Sequence, residues 1–86
     1  MISFYSNITY NDTYQKVDIG KVKNIIIAND GGVVAQFSHD GSSLKGEIKP
    51  NETIELDCIF KDDEEPVIWI KAQAVGNVVP CRLWAW

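Results

Sequence analysis

Two runs rich in β-branched and aromatic residues, Ile25-Ile26-Ile27-Ala28 and Val33-Val34-Ala35-Gln36-Phe37, flank the turn residues Asn29-Asp30-Gly31-Gly32. A second pair, Asp40-Gly41, closes the second run. Asn, Asp and Gly tolerate positive φ at little steric cost, and such turns match the twist of the strands they join. Residues 25–41 therefore read as a hairpin. Its core face is Val33, Ala35 and Phe37, with Val34, Gln36 and Ser38 opposite, because strand neighbours point to alternate faces. Three isoleucines in succession, apolar on both faces, place the first run in the domain interior.

The rest of the chain continues in short extended runs. Residues 2–8 alternate Ile2, Phe4 and Ile8 against Ser3 and Tyr5, and a tyrosine-flanked polar loop follows over residues 10–14. Residues 15–19 and 21–28 are extended and interrupted at Gly20, where a bulge or tight turn is expected. Residues 40–43 and 49–52 are turns on either side of a short strand at 44–48. Residues 53–60 alternate most cleanly, Ile54, Leu56, Cys58 and Phe60 against Thr53, Glu55 and Asp57, so one face is dry. Residues 67–72 and 78–86 form the last two strands, joined across Val75, Gly76 and Asn77. No window carries helical periodicity or a capping box. The expected fold is all-β: one antiparallel β-sandwich domain over residues 1–86, jelly-roll or immunoglobulin-like, of about seven to eight short strands.

At 86 residues the chain buries roughly 60% of its unfolded surface, enough for one modest core. A content of 45% hydrophobic and 23% charged residues is too apolar for disorder. The net charge of −4 and scattered basic residues argue against nucleic-acid binding, which needs clustered Lys and Arg. No basic segment leads into a long apolar run and no run reaches membrane-spanning length, so a soluble chain without an export signal is expected, with no membrane partner. On that footing Cys58 and Cys81 are expected as free thiols. The sequons at Asn7, Asn11 and Asn51 read as turn-type Asn-x-Thr.

Candidate chemistry is sparse. His39 is the single histidine, and Ser38-His39-Asp40 are consecutive, so alternation keeps them from acting as a triad. Asp62, Asp63, Glu64 and Glu65 lack calcium-loop spacing and read as a solvated, self-repelling tip. Cysteine and histidine spacing does not fit zinc. No catalytic, metal or cofactor site is expected. The aromatic residues say more. On the final strand Arg82, Trp84 and Trp86 share one face, and Cys81, Leu83 and Ala85 the other. Either the two indoles cap the core, the default, or they offer a partner an apolar face, with Arg82 in cation–π reach. A chain ending on Trp also calls for cover over that ring. Trp69, Tyr10 and Tyr14 complete the candidate partner-binding set, and with Trp84 they could stack on a glycan.

The order of short segments resembles a group of small bacteriophage virion proteins. It runs Ile25-Ile26-Ile27-Ala28-Asn29, Phe37-Ser38-His39-Asp40-Gly41, Lys45-Gly46-Glu47-Ile48-Lys49-Pro50, Ile54-Glu55-Leu56 and finally Arg82-Leu83-Trp84-Ala85-Trp86. The resemblance covers roughly residues 21–86; His39 and the acidic run depart from the pattern, and the first twenty residues have no counterpart in it. It implies a non-enzymatic structural or accessory protein, of decoration, fibre or tail type. Such a protein is a homo-oligomer bound to other capsid or tail proteins, located in the virion and, during assembly, in the host cytoplasm. The rival readings are a carbohydrate- or receptor-binding module and a small host-interaction or inhibitor protein.

Overall fold

The computed structural model describes residues 2–57 and 65–86. Among the described residues the regular elements are all strands: β1 (Phe4–Tyr10), β2 (Gln15–Asp18), β3 (Asn24–Asn29), β4 (Ala35–Ser38), β5 (Gly46–Ile48), β6 (Thr53–Asp57), β7 (Val67–Ala72) and β8 (Val79–Ala85). These form two four-stranded antiparallel sheets: sheet A in the order β1-β8-β3-β6, sheet B in the order β2-β7-β4-β5. Every first-half strand pairs with its mirror in the second half: β1 with β8, β2 with β7, β3 with β6, β4 with β5. Pairing of β8 with β3 and of β7 with β4 then closes each sheet. This is one long antiparallel hairpin rolled over on itself, the jelly-roll arrangement rather than the immunoglobulin one.

The core lies between the sheets. Sheet A contributes Ile25, Ile27, Val79, Leu83 and Ala85, and sheet B contributes Val17, Phe37, Ile48, Ile68 and Ile70. Alternation selects these positions: along β8, residues 79, 81, 83 and 85 are buried while 80, 82 and 84 are only half-buried. Val33, Ala35 and Phe37 face the core as expected.

The hairpin expected over residues 25–41 does not form. β3 lies in sheet A and β4 in sheet B, so the Asn-Asp-Gly-Gly segment crosses between sheets instead of turning back within one. Neither Gly31 nor Gly32 takes positive φ. What anchors the crossing is Asn29, almost fully buried. Its Nδ2 donates to the carbonyls of Val33 (2.8 Å) and Ile48 (2.9 Å), and its Oδ1 accepts the Gly31 N–H (2.9 Å). A buried amide with its polar groups matched ties the two sheets together.

The second turn is a true hairpin, between β4 and β5. Asp40 Oδ1 accepts the N–H groups of Ser42 (2.9 Å) and Ser43 (2.8 Å) and the Ser38 hydroxyl (2.8 Å). These bonds hold the Asp40 carboxyl well below the usual carboxylate range.

Two further expectations are corrected. Ile2 and Ile8, expected on one face of a strand with Phe4, are exposed: Ile2 precedes β1 and lies with Trp84 and Trp86 outside sheet A, and Ile8 is on the edge strand. Tyr10, placed in a loop, ends β1 and is buried. Ile54 and Leu56 do face the core as expected, half-buried because β6 is the other edge of sheet A. Cys58, Phe60 and Asp62 to Glu64, of which burial or exposure is expected above, lie outside the described residues.

Candidate functional site

The six aromatic and basic candidates do not converge. Arg82, Trp84 and Trp86 lie on the outer face of sheet A; Trp69 and Tyr14 lie on the outer side of sheet B; Tyr10 is inside the core. Tyr10 is thus no part of a binding surface, and burial pushes its hydroxyl up to about 12. Its inward direction follows from its register opposite Val79, itself a core residue.

On sheet B the Trp69 ring is already covered. The β4–β5 turn folds against it at Gly41, where φ is +85° and a Cβ would lie 2.9 Å from Trp69 Cδ2. The Lys16 ammonium stands 5.9 Å from the ring centroid and is itself paired with Glu65. Lys71 sits 5.5 Å from the Tyr14 ring in the same manner. Desolvation and the nearby Asp40 charge raise the Tyr14 hydroxyl above its ordinary value.

Sheet A is different. The core default for Trp84 and Trp86 is overturned: Cys81, Leu83 and Ala85 fill the interior side of β8, and both indoles stand outside. Facing sheets pack about 10 Å apart, a gap that these compact side chains fill. Trp84 and Trp86, with Ile2, Ile26 and Thr53, line an open groove of about 510 Å³. Register puts Tyr5, Trp84 and Ile26 in one row across β1, β8 and β3. The Tyr5 and Trp84 rings meet at 5.6 Å with a tilt of 51°.

Polar contacts fix the rims of this surface. Arg82 grips Asp30 with a two-point fork, Nε to Oδ2 at 2.7 Å and Nη2 to Oδ1 at 2.9 Å, and its guanidinium stands 5.1 Å from the Trp84 ring centroid. The Arg82 hydrogen bond lowers the Asp30 pKa. An exposed pair of this kind adds little stability. Its effect is to hold the guanidinium against Trp84. At the other rim Asn24, with its amide turned to satisfy both neighbours, accepts the Trp86 indole N–H (3.2 Å) and donates to Asp57 Oδ1 (3.2 Å).

Ile2, Ile26, Asp30 and Asn24 belong to this surface and were not singled out from the sequence. Ile26 had a local signal, since alternation sets it opposite Ile25 and Ile27. Asp30 and Asn24 had none, because they reach β8 only through the β3–β8 pairing.

The Ser38 hydroxyl is spent on the turn: it donates to Asp40 and accepts the N–H groups of Asp40 (3.2 Å) and Gly41 (3.1 Å), while His39 is exposed. Among the described residues no three His, Cys, Asp or Glu side chains group as metal ligands. No helix among them is long and apolar enough to cross a membrane. The chain matches no protein-family model, no curated protein and no solved structure.

Proposed function

We propose that this chain is a non-enzymatic structural or accessory subunit of a bacteriophage particle, and that it holds a neighbouring protein subunit through the outer face of sheet A. The observation that carries the reading is the groove between Trp84 and Trp86: two indoles and two isoleucines are turned away from a core that is filled without them. Apolar surface of that kind, rimmed by polar groups, favours a protein partner, with a Trp and an Arg as anchors. The jelly roll itself serves in viral capsid and lectin domains, a support by analogy of fold. Assembly would also add burial to a small domain.

The composition of the groove favours protein over glycan. Sugar recognition needs polar side chains at the edges of stacked rings, and here Thr53 is the one polar residue among the lining side chains. The Trp86 indole N–H is already engaged by Asn24. Trp69 lies beneath Gly41 and Lys16.

The test is mass spectrometry of purified particles of the encoding phage, with the parent chain and with Ile2→Glu. Ile2 is 54% exposed, so a charge there alters the groove and leaves the core alone. The parent chain should be found in many copies and the variant, folded by circular dichroism, should be depleted at least tenfold. Absence of the parent chain from particles would overturn the virion role; undiminished incorporation of the variant would overturn the groove as the contact.

A further inference from the structure

Strand β1 is an unguarded sheet edge. It spans seven residues, Phe-Tyr-Ser-Asn-Ile-Thr-Tyr, and among the described residues it pairs on one side only, with β8. Edge strands are ordinarily blunted by shortness, charge, proline or a bulge, because an open row of N–H and C=O groups templates further pairing. The other edges follow that rule: β2 has four residues and β5 three, and β6 carries Glu55 and Asp57. β1 has no charge and no proline, and its register with β8 runs unbroken from Phe4 to Tyr10.

The free backbone groups can be assigned. On the far side of β8, Trp86 exchanges both bonds with Asn24, N–H to C=O at 3.1 Å and 3.0 Å. Bonding direction alternates along a strand, so residues 82, 84 and 86 bond toward β3 and residues 79, 81, 83 and 85 toward β1. Their register partners on β1 are Tyr10, Ile8, Ser6 and Phe4. Tyr5, Asn7 and Thr9 therefore aim their N–H and C=O groups at the open edge.

The geometry points to a second copy of this chain as the occupant of that edge, paired antiparallel through β1 about a twofold axis at Asn7. In that register Asn7 meets Asn7 of the other copy and Tyr5 meets Thr9, so every outward N–H finds a carbonyl. On the core-side face Phe4 stands opposite Tyr10 and Ser6 opposite Ile8, which covers the exposed Ile8. Charge selects this edge for self-pairing. In a chain of net charge −4, β6 against itself would bring Glu55 and Asp57 of two copies together, whereas β1 brings no charge at all. The result is a continuous eight-stranded sheet with both Trp84–Trp86 grooves on one surface. The dimer goes beyond the virion reading and stands or falls without it, since the purified chain is sufficient to test it.

The experiment is sedimentation equilibrium across a concentration series, with hydrogen exchange. The parent chain should form a dimer with slowed exchange at the amides of Tyr5, Asn7 and Thr9. Asn7→Lys and Asn7→Asp, each setting like charges face to face, should be folded monomers in which those amides exchange freely. Mixing the two variants should restore a dimer. Thr9→Pro, which deletes an outward N–H without touching the β8 ladder, should also be monomeric and serves if the charged variants lose their fold. A parent chain that stays monomeric at its highest soluble concentration, or folded variants that dimerise as the parent does, would overturn the proposal.

Discussion

At Gly46 one hydrogen atom decides how the β4–β5 hairpin packs. Gly46 stands directly across from Phe37, and a Cβ there would lie 2.7 Å from Phe37 Cζ and 2.9 Å from Cε1. The ring is packed in the core, so it can yield only by displacing its neighbours. Gly46→Ala should therefore cost about 1–3 kcal/mol as overpacking, read as a lower urea midpoint with an unchanged slope. An unchanged midpoint would show that the ring has slack. Cys81 makes stability depend on alkaline pH. It is fully buried, and desolvation first, then the Asp30 charge, raises its thiol from 9.0 to about 12. A folded pKa above the unfolded one means stability that is complete below pH 9 and lost as pH rises toward about 12. Tyr10 acts in the same direction, from 10.0 to about 12. The melting temperature should fall across that alkaline window, less steeply in Cys81→Ala, and Cys81 should react with thiol reagents only as the chain unfolds. Equal slopes for parent and variant, or prompt labelling of the native thiol, would refute this.

Among the strands, the crossing between β3 and β4 governs the arrangement. Turn residues mark the break at Asn29 to Gly32, yet the same residues can reverse a strand within a sheet or carry the chain to the facing one. The choice belongs to the strands' partners: β3 is taken by β6 and β8, β4 by β5 and β7. Asn29→Ala should lower stability by about 3 kcal/mol, because the buried Ile48 carbonyl and the half-buried Gly31 N–H lose their side-chain partner. Asn29→Asp should do no better, since a carboxylate cannot donate to the Val33 and Ile48 carbonyls. Chemical denaturation of both variants is the check, and parental stability in either would mean that backbone contacts alone hold the crossing.

For the whole molecule, the decisive pairings join the beginning of the chain to its end, Phe4 with Ala85 and Tyr10 with Val79. β8 is central, bonded on one side to β1 and on the other to β3. Removing residues 84–86 would delete the buried Ala85, two large aromatic contacts and the Trp86 backbone bonds to Lys23 and Asn24 at 2.8–3.1 Å. Half-buried indoles contribute less than the ~3–5 kcal/mol of a buried Trp. Together with the lost ladder they still approach a total stability of roughly 5–15 kcal/mol. The truncated chain should lack a cooperative melt by circular dichroism; a parental melting curve would show that sheet A closes without this segment. Pairing over such sequence separations also makes refolding slow, on the order of milliseconds to seconds.

The all-β class, the strand-and-turn punctuation and the alternation of faces along each run are legible in the local order of residues. Period-two alternation is a local property of an extended backbone, and Asn, Asp, Gly and Pro break it for local reasons. It separated Arg82, Trp84 and Trp86 from Cys81, Leu83 and Ala85 correctly, but its default set the wrong trio, the one with the indoles, against the core. The packing of the two sheets made that choice, by filling the gap between them with the compact set. It also decided that β3 and β4 part company, that Tyr10 is core, and that Ile2, Ile26 and Asp30 join the indoles on one surface. Those outcomes depend on strand neighbours far apart in sequence, and burial at a given position is set by what the facing sheet leaves room for.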